Sequence, residues 1–114
     1  MRLYINMFEI ALEEKQMEEK FGIRQNVLDE IENYAKKHQI KKVILFGSRA
    51  RGDYRKTSDI DLATIGGDHV RFALDVDEET STLLKFDIVN LDGPVQTELR
   101  NSIESEGVLL YEEI

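Results

Sequence analysis

The sequence has 114 residues, 33% of them charged and 41% hydrophobic, with a formal net charge of -8, a single proline and no cysteine. A chain of this size builds about one small domain around one core, and the missing thiols exclude a disulfide framework, a thiolate nucleophile and a zinc ribbon. The acidic balance argues against nucleic acid as a direct partner, because that binding rests on Lys and Arg neutralising phosphates, and no apolar run approaches the roughly 20 residues that span a bilayer.

The opening "MRLYINMFEIALEEK" turns acidic too early for a secretory or transit peptide, which makes the cytoplasm the expected location. Over residues 7–21, Met7, Ile10, Ala11, Met17 and Phe21 recur at helical spacing and predict a helix stopped near Gly22. Residues 24–38 repeat the pattern with Val27, Ile31, Tyr34 and His38, a second, amphipathic helix. "KVILF" is short, apolar and β-branched, which suits a strand covered on both faces in the middle of a sheet. "DIDLATI" alternates: Asp59, Asp61, Ala63 and Ile65 go to one face, Ile60, Leu62 and Thr64 to the other. A glycine pair then opens a mainly helical stretch, followed by the strand "FDIVNL". Pro94 opens a helix in which Val95, Leu99 and Ile103 repeat until Gly107, and "VLLY" closes the chain as a strand. The expected fold is α/β or α+β, a mixed sheet with helices packed on it. Residues 1–22 form a helical extension and residues 23–114 the domain.

One segment carries chemistry. In "LFGSRARGDYRKTSDIDLA", Arg49, Arg51, Arg55 and Lys56 precede Asp59 and Asp61 within an acidic chain. Gly47-Ser48 directly after a buried strand lets backbone approach a ligand closely, and the serine adds a hydroxyl, an arrangement suited to phosphate. A plain strand-to-helix turn is the competing reading. A P-loop is excluded, because Asp53 and Tyr54 follow the second glycine where Lys and then Ser or Thr are required. Asp59 and Asp61 at i and i+2 of a strand send their carboxylates to one face, where they can share hard cations or simply charge a solvated edge. Asp87, at the start of another strand, offers a third carboxylate to that face. His38 and His69 read as surface or cap residues, and "DVDEE", lacking the later glycine and glutamate of an EF-hand, as a solvated helix face.

Taken together, "FGSRARGDYRKTSDIDLA", the downstream "FDIVNL" and the closing "LRNSIESEGVLLYEE" resemble the minimal nucleotidyltransferases of the DNA polymerase β-type superfamily. The resemblance runs from about Asn26 to the C-terminus. It implies the nucleotidyltransferase fold and a triphosphate, from ATP, held by Gly47 and Ser48 with help from Arg49 and Arg51. It also implies two Mg²⁺ ions on Asp59, Asp61 and Asp87, with Asp87 helping to deprotonate the acceptor hydroxyl. Minimal nucleotidyltransferases are commonly paired with HEPN-type helical toxins, so the resemblance further implies an antitoxin that adenylylates its partner. A non-catalytic module that neutralises by contact is the alternative. Modification of a small molecule is disfavoured by the lack of a second domain.

Overall fold

The computed structural model describes residues 19–114. The described chain opens with a hairpin: β1 (Glu19–Lys20) and β2 (Ile23–Arg24) pair antiparallel, and Phe21 and Gly22 between them have φ of 58° and 67°. Two successive residues at positive φ give the two-residue turn whose twist matches paired strands. The helix expected over residues 7–21 therefore does not run to its predicted end. Residues 19–21 belong to the hairpin, and the rest of that prediction lies outside the described residues. The hairpin also straddles the boundary expected between residues 22 and 23.

Helix α1 (Gln25–Lys37) buries Val27, Ile31 and Ala35 along one stripe and places Lys36 and Lys37 in its last turn, where they complement the helix dipole. The main sheet contains β3 (Lys42–Phe46), β4 (Ile60–Ile65), β5 (Phe86–Asn90) and β6 (Val108–Glu112) in the order β5-β4-β3-β6. Only β4 and β5 run parallel, and helix α3 (His69–Glu79) makes the crossover such a pair requires. The two antiparallel pairings, β3 with β4 and β3 with β6, complete the mixed sheet that the sequence predicts.

Both faces are covered. Val43, Leu45, Ile60 and Leu62 pack with Val27 and Ile31 of α1 and with Phe72 and Val76 of α3. On the other face Phe46 and Ala63 pack with Leu91 and with Ile103 of helix α4 (Thr97–Glu106). The alternation along "KVILF" thus feeds two cores, which is why that strand carries no polar interior position. Phe72 is fully buried between α3 and the sheet, so Phe72→Ala is expected to destabilise the fold by about 3–5 kcal/mol, read as a lower urea midpoint with unchanged slope.

Three predicted details shift. Helix α4 begins at Thr97 rather than at Pro94, because the chain is still extended at Gln96 (φ -57°, ψ 139°), although Val95 packs on the core as expected. His38 is a cap residue rather than a surface one: it ends α1 as its C-cap, its side chain is 10% exposed, and Nε2 lies 2.6 Å from Oδ2 of Asp75. Asp75 also takes Lys37 Nζ at 3.3 Å and so ties α3 to α1, while Asp77, Glu78 and Glu79 of "DVDEE" are exposed as the solvated face requires. The hydrogen bond from His38, then that from Lys37, holds the Asp75 carboxyl below its ordinary range. His69, the first residue of α3, pairs its Nδ1 with Thr64 Oγ1 at 2.7 Å, and burial lowers its pKa. No helix among the described residues is long and apolar enough to cross a membrane.

Candidate active site

At the end of β3 the chain turns through Gly47 (φ 73°) into helix α2 (Gly47–Arg51), which closes on Gly52 at φ 94°. The amides of Gly52 and Asp53 both donate to the Ser48 carbonyl, which fixes this tight exit. Glycine is required at position 47 for two reasons. Its backbone lies in the left-handed region, and a Cβ there would overlap Oδ2 of Asp61. The Gly-Ser bend and the Asp61 carboxylate are therefore in direct contact. That follows from register, since Phe46 and Asp61 are cross-strand partners. Ser48, the second residue of α2, is half-buried.

Asp61 is the second residue of β4 and Asp87 the second of β5, and the parallel register pairs them directly. Cross-strand partners project from the same face of adjacent strands about 4.8 Å apart. Asp59 stands just ahead of β4, whose first residue is Ile60, and so belongs to the approach loop rather than to the strand. Asp61 is half-buried, whereas Asp59 and Asp87 are exposed. Burial raises the Asp61 pKa, the negative charges of Asp87 and Asp59 raise it further, and Arg51 and Arg49 oppose them. The two flanking aspartates are thus electrostatically coupled to Asp61.

Among the described residues, no three carboxylate or imidazole groups already stand close enough to grip an ion. Asp59 and Asp87 are exposed, so their side chains can turn toward an ion without disturbing the core. Their hard oxygens, gathered at neighbouring strand starts beside a carboxylate that gains from a positive neighbour, fit a Mg²⁺-type ion.

The two arginines predicted to neutralise phosphate part company. Two positions apart on a helix, residues point about 200° away from one another. Arg51 is exposed and pairs with Asp53 and Glu106, each at 3.3 Å, contacts that push its pKa up. Exposed pairs of this kind are screened by solvent and contribute little, so the guanidinium can exchange them for a stronger anion.

Arg49 does not fit its predicted role. It is 1% exposed, with its guanidinium bonded to the carbonyls of Phe21, Gly22, Arg55, Lys56 and Ser58 and stacked 5.0 Å from the Tyr54 ring. A guanidinium carries only five N–H donors. With these directed at backbone oxygens, Arg49 has none left for a phosphate.

Beside Asp59 opens a cleft of about 1040 Å³, lined among others by Arg24, Tyr54, Lys56, Thr57 and Lys85. Of these, the sequence marks only Lys56, as one of the cations ahead of Asp59; Arg24, Tyr54, Thr57 and Lys85 carry no assignment. No local pattern links Arg24 and Lys85 to Asp59; the fold alone brings them together.

The family model for polymerase beta nucleotidyltransferases matches residues 29–113. Over 51 residues the chain is 51% identical to MJ0604 of Methanocaldococcus jannaschii, named as a candidate protein adenylyltransferase. That match covers 45% of this chain and 49% of the relative, so the chain spans about half the length of the curated protein it resembles. A toxin–antitoxin complex solved with AMP-PNP superposes with a TM-score of 0.62 at 21% identity, covering 75% of this chain and 73% of that one. A variant of the MntA-HpeT toxin–antitoxin gives 0.61 at 19% identity, with the same coverage of 75% and 73%. A protein from Shewanella oneidensis gives 0.58 at 16% identity, covering 78% and 72%. At such identities the superpositions establish a shared fold.

Proposed function

We propose, from the premise that the chain belongs to the polymerase beta nucleotidyltransferase family, that it transfers AMP from ATP to a hydroxyl of a partner protein. The partner is a HEPN-type helical toxin, which this chain neutralises as its antitoxin. The observation that carries the reading is the register that sets Asp61 opposite Asp87, on one face and against the Gly47-Ser48 bend. The protein-adenylyltransferase name of the M. jannaschii relative and the toxin–antitoxin complexes among the structural neighbours support the choice of acceptor.

In the reaction an acceptor oxygen bonds to the α-phosphorus, the bond from that phosphorus to the bridging oxygen breaks, and pyrophosphate leaves. Gly47 lets the bend approach the phosphates without a side chain in the way, and Ser48 donates its hydroxyl to a phosphate oxygen. Arg51, released from Asp53 and Glu106, neutralises charge on the same group. Asp59, Asp61 and Asp87 would hold two Mg²⁺ ions, and Asp87 would help to deprotonate the acceptor hydroxyl. Bound Mg²⁺ supplies neutralisation of the phosphates and stabilisation of the attacking and leaving oxygens.

Incubating the protein and its partner with ATP labelled on the α-phosphate and Mg²⁺ tests the reading. Label is expected on the partner; a partner that is neutralised yet unlabelled favours the contact-only antitoxin. Ser48→Ala removes one hydrogen bond to a charged group, so kcat/KM for ATP is expected to fall roughly 10- to 100-fold with stability unchanged. Steady-state kinetics alongside a melting curve checks both halves of that expectation.

A further inference from the structure

Arg49 joins three backbone segments through a single buried guanidinium. Its Nη1 donates to the carbonyls of Phe21 and Gly22, each at 3.1 Å, in the turn of the β1–β2 hairpin. Its Nη2 donates to Ser58 at 2.8 Å and, at longer range, to Lys56 at 3.3 Å and Arg55 at 3.5 Å. Nε adds a second bond to the Ser58 carbonyl at 3.1 Å. Ser58 immediately precedes Asp59, so this two-pronged grip fixes the peptide that carries the first carboxylate. The arginine itself stands on α2, one residue after Ser48, so the phosphate-binding bend, the aspartate loop and the hairpin share one fastening.

The hairpin lies ahead of the region matched by the family model, which begins at residue 29. Through Arg49 it nonetheless becomes part of the site. Gly22, Ile23 and Arg24 line the same cleft as Asp59. The fastening is tight at the hairpin end too, because a Cβ on Gly22 would press on Nη1 of Arg49 and on the Tyr54 ring. Lysine cannot replace this residue: three donors on one nitrogen do not span carbonyls in separate segments as the planar fork does.

We infer that Arg49 is a positioning residue that fixes Asp59 relative to the Gly47-Ser48 bend and makes the β1–β2 hairpin one wall of the cleft beside Asp59. The inference rests on the proposed nucleotidyltransferase site for its chemistry but not for its mechanics. Partners that position metal ligands are each worth about 10- to 100-fold in metal affinity.

The test uses Arg49→Lys in the whole chain, with Mn²⁺ affinity measured by calorimetry and backbone hydrogen exchange followed by segment. Expected are an affinity for Mn²⁺ lowered about tenfold and exchange that rises together in residues 19–24 and 55–59, with β6 unaffected. The loss of affinity should disappear when Asp59→Asn is already present. Should Arg49→Lys not fold, Gly22→Ala perturbs the same fastening from the hairpin side and is expected to raise exchange at 55–59 as well. Exchange that rises in one segment alone, or Mn²⁺ affinity equal to wild type, overturns the inference. A wild-type protein that binds no Mn²⁺ sinks the proposed metal site, while coupled exchange of the two segments still decides whether Arg49 fastens them.

Discussion

Asp61→Asn is expected to abolish nucleotidyl transfer, by on the order of 10³-fold or more, while raising the melting temperature of the metal-free protein. The first half follows from placement. Asp61 touches the Gly47 bend, faces Asp87 across the sheet and stands two residues from Asp59, so it is the member of the trio that no swing of an exposed neighbour can replace. A 10³-fold loss corresponds to about 4 kcal/mol of transition-state stabilisation. The second half follows from the charge environment. Burial, and then the charges of Asp87 and Asp59, raise the Asp61 pKa above its ordinary value of 3.8. A carboxyl whose folded-state pKa is raised binds its proton more tightly in the fold than in the unfolded chain. Stability is therefore greatest below the ordinary value, falls as pH rises through the folded-state value, and stays reduced at neutral pH. Asparagine removes that cost and keeps the shape. Added Mg²⁺ should raise the melting temperature of the wild type and do little for the variant. Thermal melts with and without Mg²⁺, beside label transfer to the partner, give the readout. A variant that transfers AMP at the wild-type rate, or that melts lower without metal, contradicts this account of the site.

The sheet was legible because its strands obey simple periods. "KVILF" has two buried faces and "DIDLATI" alternates, and each pattern survives in the burial of Val43 and Leu45 on one side and Phe46 and Ala63 on the other. The Asp61–Asp87 pairing was readable only as a possibility, since parallel register depends on the length and packing of the intervening α3. The hairpin was invisible. Two-residue strands have no period, and an apolar residue followed by glycine, Phe21-Gly22, is also how helices end. Arg49 misled for a different reason: in a basic loop every cation looks solvent-facing, and what sets this one apart is the convergence of carbonyls from residues 21, 22, 55, 56 and 58. The one local clue was spacing, because Arg49 and Arg51 cannot face the same ligand from one short helix. His38 was hidden similarly, its partner Asp75 lying 37 positions away in the chain.

Gly47→Ala is the second large effect, and a neighbouring glycine separates its two causes. At φ 73° an alanine sits in the left-handed region at a cost of roughly 1–2 kcal/mol, and its Cβ would overlap the Asp61 carboxylate. Either the bend or the carboxylate must move. Displacement of a reacting group by about 1 Å can cost about 100-fold in rate, so transfer per folded molecule is expected to fall by at least that factor. Gly52, five residues on, has φ 94° but nothing within 4 Å of where its Cβ would stand. Gly52→Ala therefore carries a backbone penalty without the collision. Both variants should melt several degrees lower, on the scale of about 4–8 °C per kcal/mol for a domain of this size. Only Gly47→Ala should lose transfer once the rate is normalised to the folded fraction. Equal losses per folded molecule in the two variants would mean that backbone strain around α2, and not the contact between the Gly-Ser bend and Asp61, governs the chemistry.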